Sequence, residues 1–111
     1  MTDLEMTRLC AEAVGLQWKL LPALEGSETY DEDTIIFYDG PYPVKYNPIM
    51  NDAQAMALVK KCGLSLCSPS PENADWQALK VWTGDSTTPS AFNKDLNRAI
   101  VECVAKMQAS K

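Results

Sequence analysis

One segment, from Asn47 to Leu64, constrains the fold more than any other part of this chain. Asn51 is a good N-cap residue, and Gln54 follows three positions later, a spacing typical of a helix start. Gly63 can adopt the left-handed conformation that ends many helices. The segment therefore predicts a loop, a capped helix and the start of a strand. The buried face predicted for this helix consists of Ala55, Met56, Val59 and Cys62.

Helical periodicity also marks both ends of the chain. The run from Thr2 to Glu5 has the spacing of a capping box, and the helix that it starts is predicted to end near Gly15. A last helix is predicted from about Asn93 to Ala109, because its apolar residues recur at 3.6-residue spacing. The members of that stripe are Leu96, Ala99, Ile100, Cys103, Val104 and Met107.

Strands are predicted between these helices. The β-branched and aromatic run 34–38 indicates a strand, and the proline-containing segment 41–48 can be at most an edge strand or an extended loop. Residues 64–67 and 76–82 form a second predicted pair, and the latter has the two-sided apolar character of a central strand. The segment 16–21 is compatible with a short strand or with irregular chain. We expect an α+β fold, in which three helices pack on a small, mostly antiparallel sheet of three to four strands.

Length and charge limit the classes of protein that this chain can represent. Its 111 residues correspond to a single domain, 1–111, by length. The formal net charge is -5, and Arg8 and Arg98 are the only arginines. Because backbone recognition needs clustered cations, no direct nucleic-acid partner is expected. The sequence has no signal peptide and no membrane-spanning window, so a cytoplasmic location is expected, with no membrane partner.

The residue types disfavour catalysis and metal binding. The chain has no histidine, which removes the commonest general base and metal ligand at neutral pH. Cys62 and Cys67 have C-x4-C spacing but no second ligand pair, whereas a structural zinc site needs four ligands. No glycine-rich phosphate loop is present, and no cofactor is predicted. The cysteines are predicted to be thiols of the core in a reducing compartment.

The entrance of the predicted second helix is a candidate binding site. Tyr46 and Asn47 precede the helix start, where free N–H groups can bind anions. The carboxylate of Asp52 would repel an anion there, so capping is the favoured role. A separate group of acids consists of Glu28, Asp31, Glu32 and Asp33. This group is predicted to be a solvated loop, with a basic partner protein as the functional alternative.

Aromatic residues and one arginine complete the candidate set. Trp76 and Trp82 could stack on a base, although residues of a two-sided strand more often belong to the core. Arg98 lies away from the apolar stripe of its helix. Its side chain is predicted to form a surface ion pair with Glu102, and the alternatives are a bound ligand or a pair with Asp52.

Three segments together resemble a known family. The Asn47–Leu64 segment, the run from Trp76 to Trp82 and the run from Asp95 to Glu102 are similar to the phage ABA-sandwich family of small phage and prophage proteins. The resemblance implies an α/β sandwich, and most members have no assigned activity. The matching positions are Trp18, Asn47, Pro48, Asp52, Ala53, Trp76, Arg98 and Ala99. Members often carry a histidine near the second helix or before the last one, and this chain has none.

The resemblance leads to hypotheses about function. The first is a non-enzymatic counter-defence protein of the host cytoplasm, which sequesters a nucleotide-derived host immune signal in a pocket across a homo-oligomer interface. The residues predicted to line that pocket are Tyr46, Asn47, Asp52, Trp76, Trp82 and Arg98. The alternative is an anti-CRISPR-like inhibitor of a host defence complex, whose acidic surface competes for a basic groove. A phage structural or regulatory protein is the second alternative.

Overall fold

The computed structural model describes residues 1–23, 25–26, 32–72, 74–80 and 90–110. In these ranges the chain forms three helices and two small antiparallel sheets of three strands each, which confirms the α+β class. The elements in chain order are α1 (Asp3–Ala13), β1 (Lys19–Leu21), β2 (Thr34–Asp39), β3 (Tyr42–Lys45), α2 (Asp52–Cys62), β4 (Leu64–Cys67), β5 (Trp76–Lys80), β6 (Ser90–Asn93) and α3 (Leu96–Ala109).

The predicted starts of α1 and α2 and the predicted end of α2 are confirmed. The hydroxyl of Thr2 accepts a bond from the Glu5 N–H at 3.1 Å, and the side chain of Asn51 accepts one from the Gln54 N–H at 3.0 Å. Gly63 ends α2 with φ 66°, in the left-handed region that residues with a Cβ rarely adopt. These contacts span only a few residues, which explains why the sequence pattern located them.

The strands are divided between two sheets, whereas the sequence suggested one. The first sheet has the order β1-β2-β3 and the second has the order β4-β5-β6. The edge position predicted for the proline-containing strand and the central position predicted for β5 are both confirmed. The strand β6 was not predicted, and it includes Asn93, where the last helix was predicted to begin; α3 begins at Leu96. Its sequence, Ser90 to Asn93, has no β-branched residue and one aromatic residue, so the local pattern is too weak to predict the strand, which forms by pairing with β5.

Helix α3 forms the centre of the core. It packs against α1, α2, β5 and β6. Its fully buried residues are Ala99, Ile100, Val101, Cys103, Val104 and Ala105. On the facing sheet, Ala78 and Ala91 are cross-strand partners and are also buried. Small side chains on the sheet allow the bulkier stripe of α3 to approach it closely, so apolar burial is concentrated here.

The predicted buried face of α2 needs one correction. Met56 is 41% exposed, whereas Leu58 is completely buried. Ala55, Leu58 and Val59 lie at i, i+3 and i+4, so the stripe that faces the core runs through Leu58, and Met56 lies to one side of it. The sequence pattern identified the helix correctly but included Met56 in the buried stripe and omitted Leu58.

The four cysteines are free thiols in two kinds of environment. Cys10 and Cys103 are buried, and burial raises the pKa of Cys10 to about 12 and that of Cys103 to about 11. Cys62 is partly buried, and Cys67 is exposed on β4. The prediction of core thiols is therefore confirmed for Cys10 and Cys103 and is wrong for Cys67.

None of the helices in the described ranges combines the length and the apolar character that a membrane crossing requires.

Candidate functional site

A cleft of about 290 Å³ lies beside the first turn of α1. The other walls come from the chain that leads into β2, from the segment between β3 and α2, and from one side chain of α3. The charged residues among its lining are Asp3, Glu32, Asp33, Lys45 and Arg98. Elements distant in sequence therefore bring ionisable groups of both signs into one small volume.

The cleft contains part of the predicted binding set. Tyr46, Asn47 and Arg98 line it, whereas Asp52 and Trp76 are not among its lining residues. Trp76 is a partly buried residue of β5 that packs against the core, the role that a two-sided strand suggested. Trp82, like Glu28 and Asp31 of the predicted acidic loop, lies outside the described residues.

Arg98 binds the carboxylate of Asp3 in a two-bond fork. Its Nη1 donates to Oδ1 at 2.8 Å, and its Nη2 donates to Oδ2 at 3.1 Å. This hydrogen bonding lowers the pKa of Asp3 below its ordinary value and raises the pKa of Arg98. The pair forms because α1 packs along α3, which places the start of one helix beside the first turn of the other.

The predicted ion pair of Arg98 with Glu102 is therefore wrong, and so is the alternative pair with Asp52. Asp52 accepts a hydrogen bond from Asn97 Nδ2 at 2.7 Å, and Glu102 accepts one from Asn93 Nδ2 at 3.3 Å. Arg98 bonds instead to Asp3, a residue 95 positions away in the chain. No local periodicity connects two residues at that separation.

Hydrogen bonds from nearby residues occupy the polar groups around the N-terminus of α2. The Asn47 N–H donates to Gln54 Oε1 at 2.6 Å, and Gln54 Nε2 donates to the Lys45 carbonyl at 2.9 Å. Asn51 caps the helix, and Asp52 is bonded to α3. The capping role favoured by the sequence is confirmed, and these bonds hold the Tyr46–Asn47 wall of the cleft in place.

Tyr46 connects the cleft to the core. Its N–H donates to the Ile35 carbonyl at 2.8 Å, and its ring meets Phe37 edge to face with centroids 6.2 Å apart. The residue is 4% exposed, and its hydroxyl has no hydrogen-bond partner among the described atoms. Burial, with the nearby thiols of Cys10 and Cys62, raises the pKa of Tyr46 above its ordinary value. The hydroxyl therefore stays protonated at neutral pH, buried near the thiols of the core.

The charges of the cleft are acidic on balance. Three carboxylates, from Asp3, Glu32 and Asp33, face two cations, from Lys45 and Arg98, so the formal sum is two minus three, or -1. The Arg98 charge is matched by Asp3 within the fork. Exposed apolar side chains, Leu4 and Met50, also belong to the lining, and Met50 is 78% exposed. An acidic cleft with an apolar margin suits a cationic ligand better than a polyanion.

The acids and cysteines of the described ranges were also compared with the arrangement that a metal site needs. In the part of the chain that the structure describes, no group of three or more cysteine, aspartate or glutamate side chains is arranged to hold a metal ion.

Sequence reasoning missed Asp3, Leu4 and Met50 as residues of the site. Asp3 was noted only as a position inside the Thr2–Glu5 capping-box run, and locally it is an acidic residue of the first turn of α1. Glu32 and Asp33 were predicted to belong to a solvated acidic loop. The functional alternative given for that loop, a basic partner protein, is the one sequence signal that linked these two acids to binding. Nothing in the pattern of Leu4 or Met50 distinguishes them from other apolar residues near a helix start.

Comparisons of this chain with protein-family models, with curated proteins and with solved structures found no match. The class of protein is therefore defined by its fold and its site, an α+β domain with a small acidic cleft.

Proposed function

We propose that this chain is a non-enzymatic phage accessory protein that acts in counter-defence in the host cytoplasm. It binds a basic surface of a host defence complex through the cleft beside α1. The observation that carries this proposal is the combination of a net acidic charge with exposed Leu4 and Met50 in one cleft. Protein interfaces commonly join an apolar contact to complementary charge. The phage assignment follows from the resemblance described above.

A binding role is supported by the ionisable groups of the site and the core. General acid–base catalysis needs a group whose pKa lies near the working pH. Burial moves the pKa of Cys10 and Cys103 upward, to about 12 and about 11, and the Arg98 fork moves the pKa of Asp3 downward. Each of these described groups is held in one protonation state at neutral pH.

The overall charge supports competition with nucleic acid. The chain carries a formal charge of -5, so it is attracted to the basic grooves that bind nucleic-acid backbones. A protein that occupies such a groove prevents the nucleic acid from entering it. This is the anti-CRISPR-like mode of action, and the charges of the cleft favour it over nucleotide sequestration.

The test uses purified host defence complexes that bind nucleic acid. We expect this protein to displace a labelled nucleic acid from its target complex, with an effect that weakens as salt rises. Glu32→Gln and Met50→Ser should each weaken the displacement, since they remove a charge and an apolar contact of the cleft. Glu72→Gln, which removes an exposed charge away from the cleft, is the matched control. Displacement that is equally strong with all three variants would contradict the assignment of the cleft.

Sequestration of a nucleotide-derived immune signal is the second candidate. It is favoured by the convergence of Tyr46, Asn47 and Arg98 on one cleft, because an arginine fork suits phosphate oxygens. The neighbouring carboxylates of Asp3, Glu32 and Asp33 would oppose such an anion, which places this candidate second. A second copy of the chain could complete the cleft with further cations.

Calorimetry against cyclic and ADP-ribose-derived nucleotides tests this second candidate. If it holds, the wild-type protein binds a member of the panel and Arg98→Gln weakens that binding, because the fork to phosphate is lost. Light scattering with and without the nucleotide would detect the proposed homo-oligomer. Binding that Arg98→Gln leaves unchanged, or no binding to any member, would remove the candidate.

A further inference from the structure

Three of the four edge strands in the described sheets carry a feature that hinders pairing with another chain. In the first sheet, β1 is three residues long and includes Lys19, and β3 contains Pro43, which has no N–H to donate. In the second sheet, Lys106 of α3 donates at 2.9 Å to the carbonyl of Ser90, the first residue of β6. Short strands, lysine, proline and cover by a helix are ways in which folded proteins protect sheet edges.

The fourth edge strand, β4, differs from the other three. Its sequence, Leu64 to Cys67, contains no proline and no charged residue. It pairs with β5 on one side, and no strand of the described ranges pairs with its other side. Ser65 and Cys67 are both exposed. This edge of β4 therefore offers backbone N–H and C=O groups to an incoming strand.

The charges around β4 differ between its two ends. Lys60 and Lys61 are exposed at the end of α2, next to the point where the strand begins. Glu72 is exposed in the chain that follows the strand. Asp75 directly precedes β5, whose first residues lie beside the end of β4 in the ladder. The strand thus runs from a basic end to an acidic end.

We infer that β4 is a dimer interface, at which two copies of this chain pair their β4 strands antiparallel across a two-fold axis. Antiparallel pairing of a strand with itself places its first residues beside the last residues of the other copy. The basic end of each copy then meets the acidic end of the other, so the same attraction occurs twice. The strand itself is uncharged and adds no repulsion between two chains that each carry a formal charge of -5.

This contact is independent of the cleft beside α1. None of the residues that line the cleft belongs to β4 or to the charged positions at its ends. The dimer therefore leaves the cleft of each copy open, and the inference does not depend on the proposed function. Displacement of nucleic acid without dimerisation would overturn the inference alone, and dimerisation without displacement would contradict the proposed function alone.

Ser65 is the position that reports on this interface most directly. The middle of β4 lies between Ser65 and Leu66, so self-pairing brings each Ser65 close to Ser65 of the partner subunit. The side chain of Ser65 faces away from α3, because its ladder partner is Leu79 and not the buried Ala78. A charged side chain at this exposed position therefore changes the interface without entering the core.

The first experiment measures self-association of the full chain by sedimentation equilibrium over a series of protein concentrations. Because the contact is small, we expect a weak dimer, with a dissociation constant on the order of 100 µM, which weakens further as salt rises. In NMR spectra, the amide signals of residues 64–67 should change with protein concentration, whereas those of residues 42–45 should not. A protein that stays monomeric up to about 1 mM, or signal changes confined to other strands, would overturn the inference.

The second experiment distinguishes a second copy from any other strand that might pair with β4. Ser65→Lys and Ser65→Glu should each raise the dissociation constant about fivefold, because like charges then face each other. An equimolar mixture of the two variants should associate at least as tightly as the wild type, because opposite charges then meet. A mixture that associates no more tightly than either variant alone would contradict pairing of β4 with itself.

Controls for this experiment come from the first sheet. Tyr42→Lys and Tyr42→Glu introduce the same charges at an exposed position of β3, and they should change neither the dissociation constant nor the behaviour of their mixture. Thermal denaturation of each variant establishes that it is folded before the variants are compared. An equal effect at Tyr42 would show that net charge, and not the β4 edge, governs self-association.

Discussion

Two regions of this molecule differ in how they use their side chains. The α3 core, formed by the buried residues of α2, α3 and the second sheet, places Ala78, Leu58 and Ile100 entirely away from water. The cleft region, formed by the cleft and the first sheet, leaves Leu20 48% exposed and Met50 more so. Burial of apolar surface stabilises the first region, whereas the second keeps charged and apolar groups available for contact.

The difference shows how a small domain can carry a binding site. The carboxylates of the cleft are exposed and gain little from burial, whereas Ile35, Tyr46 and Ile49 of its lining are buried parts of the core. Asp3 begins α1, which packs on α3, and Asp52 bonds to Asn97 at the start of α3. The core can therefore hold the wall of the cleft in place while the carboxylates of the cleft stay exposed.

The largest expected effect comes from creating a cavity in the α3 core. Leu58→Ala should lower the free energy of unfolding by about 2–5 kcal/mol, because the lost side chain is completely buried. Leu20→Ala in the first sheet should cost about 1 kcal/mol or less, since that side chain is half exposed. Urea denaturation of both variants measures the difference. Equal losses of unfolding free energy in the two variants would show that apolar burial does not stabilise the α3 core more than the first sheet.

A glycine substitution compares the two regions at turns of similar conformation. Gly63, after α2, and Gly40, between β2 and β3, have φ of 66° and 62°. A Cβ at Gly63 would lie 3.0 Å from Lys80 Nζ, which donates to the Cys62 carbonyl, whereas a Cβ at Gly40 meets nothing within 4 Å. Both alanine variants should lose about 1–2 kcal/mol from the left-handed backbone. Gly63→Ala should lose about 1 kcal/mol more, because the lysine contact is disturbed.

Thermal denaturation of both glycine variants checks this prediction. A loss at Gly40 that equals the loss at Gly63 would show that the Lys80 contact contributes nothing to the α3 core.

A smaller change, a gain in stability, is expected at Tyr46, which lies between the cleft and the core. Tyr46→Phe should raise the free energy of unfolding by about 1 kcal/mol, because it removes an unpaired buried hydroxyl and keeps the ring against Phe37. Tyr42→Phe, at an exposed position, is the control and should have no effect. Thermal denaturation measures both. A destabilised Tyr46→Phe variant would mean that the hydroxyl has a partner in solution, such as water.

The smallest effect concerns the ion pair of the cleft. Arg98→Gln should lower stability at neutral pH by less than about 1 kcal/mol, because the pair with Asp3 is largely exposed and screened. The pKa of Asp3 is lowered in the folded state, so the stabilisation is present above the unfolded value near about 3.9 and is lost as pH falls through the lowered value. Urea denaturation at neutral and acidic pH should show the difference disappearing.

An NMR titration of the Asp3 carboxyl provides a direct check on the same pair. Arg98→Gln should return the pKa of Asp3 toward its ordinary value, whereas Arg8→Gln, whose pair with Glu12 is 3.7 Å long, should not change it. An unchanged pKa in the Arg98 variant would mean that the fork does not persist in solution.

The sequence predicted those parts of the fold that depend on neighbouring residues. The caps at Thr2 and Asn51 and the stop at Gly63 were predicted because each acts over about one helical turn. The split into two sheets and the strand β6 could not be predicted in the same way. Ser90 to Asn93 contain one strand-forming residue, Phe92, and their extended conformation depends on pairing with β5.

The candidate site divides along the same line. The sequence by itself identified the chain before α2 as a candidate site, because Tyr46 and Asn47 lie between a proline-rich segment and a capped helix. It also showed that Arg98 lies off the apolar stripe of its helix. Tertiary structure alone decided that Arg98 would meet Asp3, and that acids leading into β2 would share their cleft. The physical reason is the sequence separation of the contacts involved. Caps and apolar stripes arise from contacts within a few residues along the chain. The charge of the cleft is the sum of distant groups, which only the packing of α1 on α3 brings together.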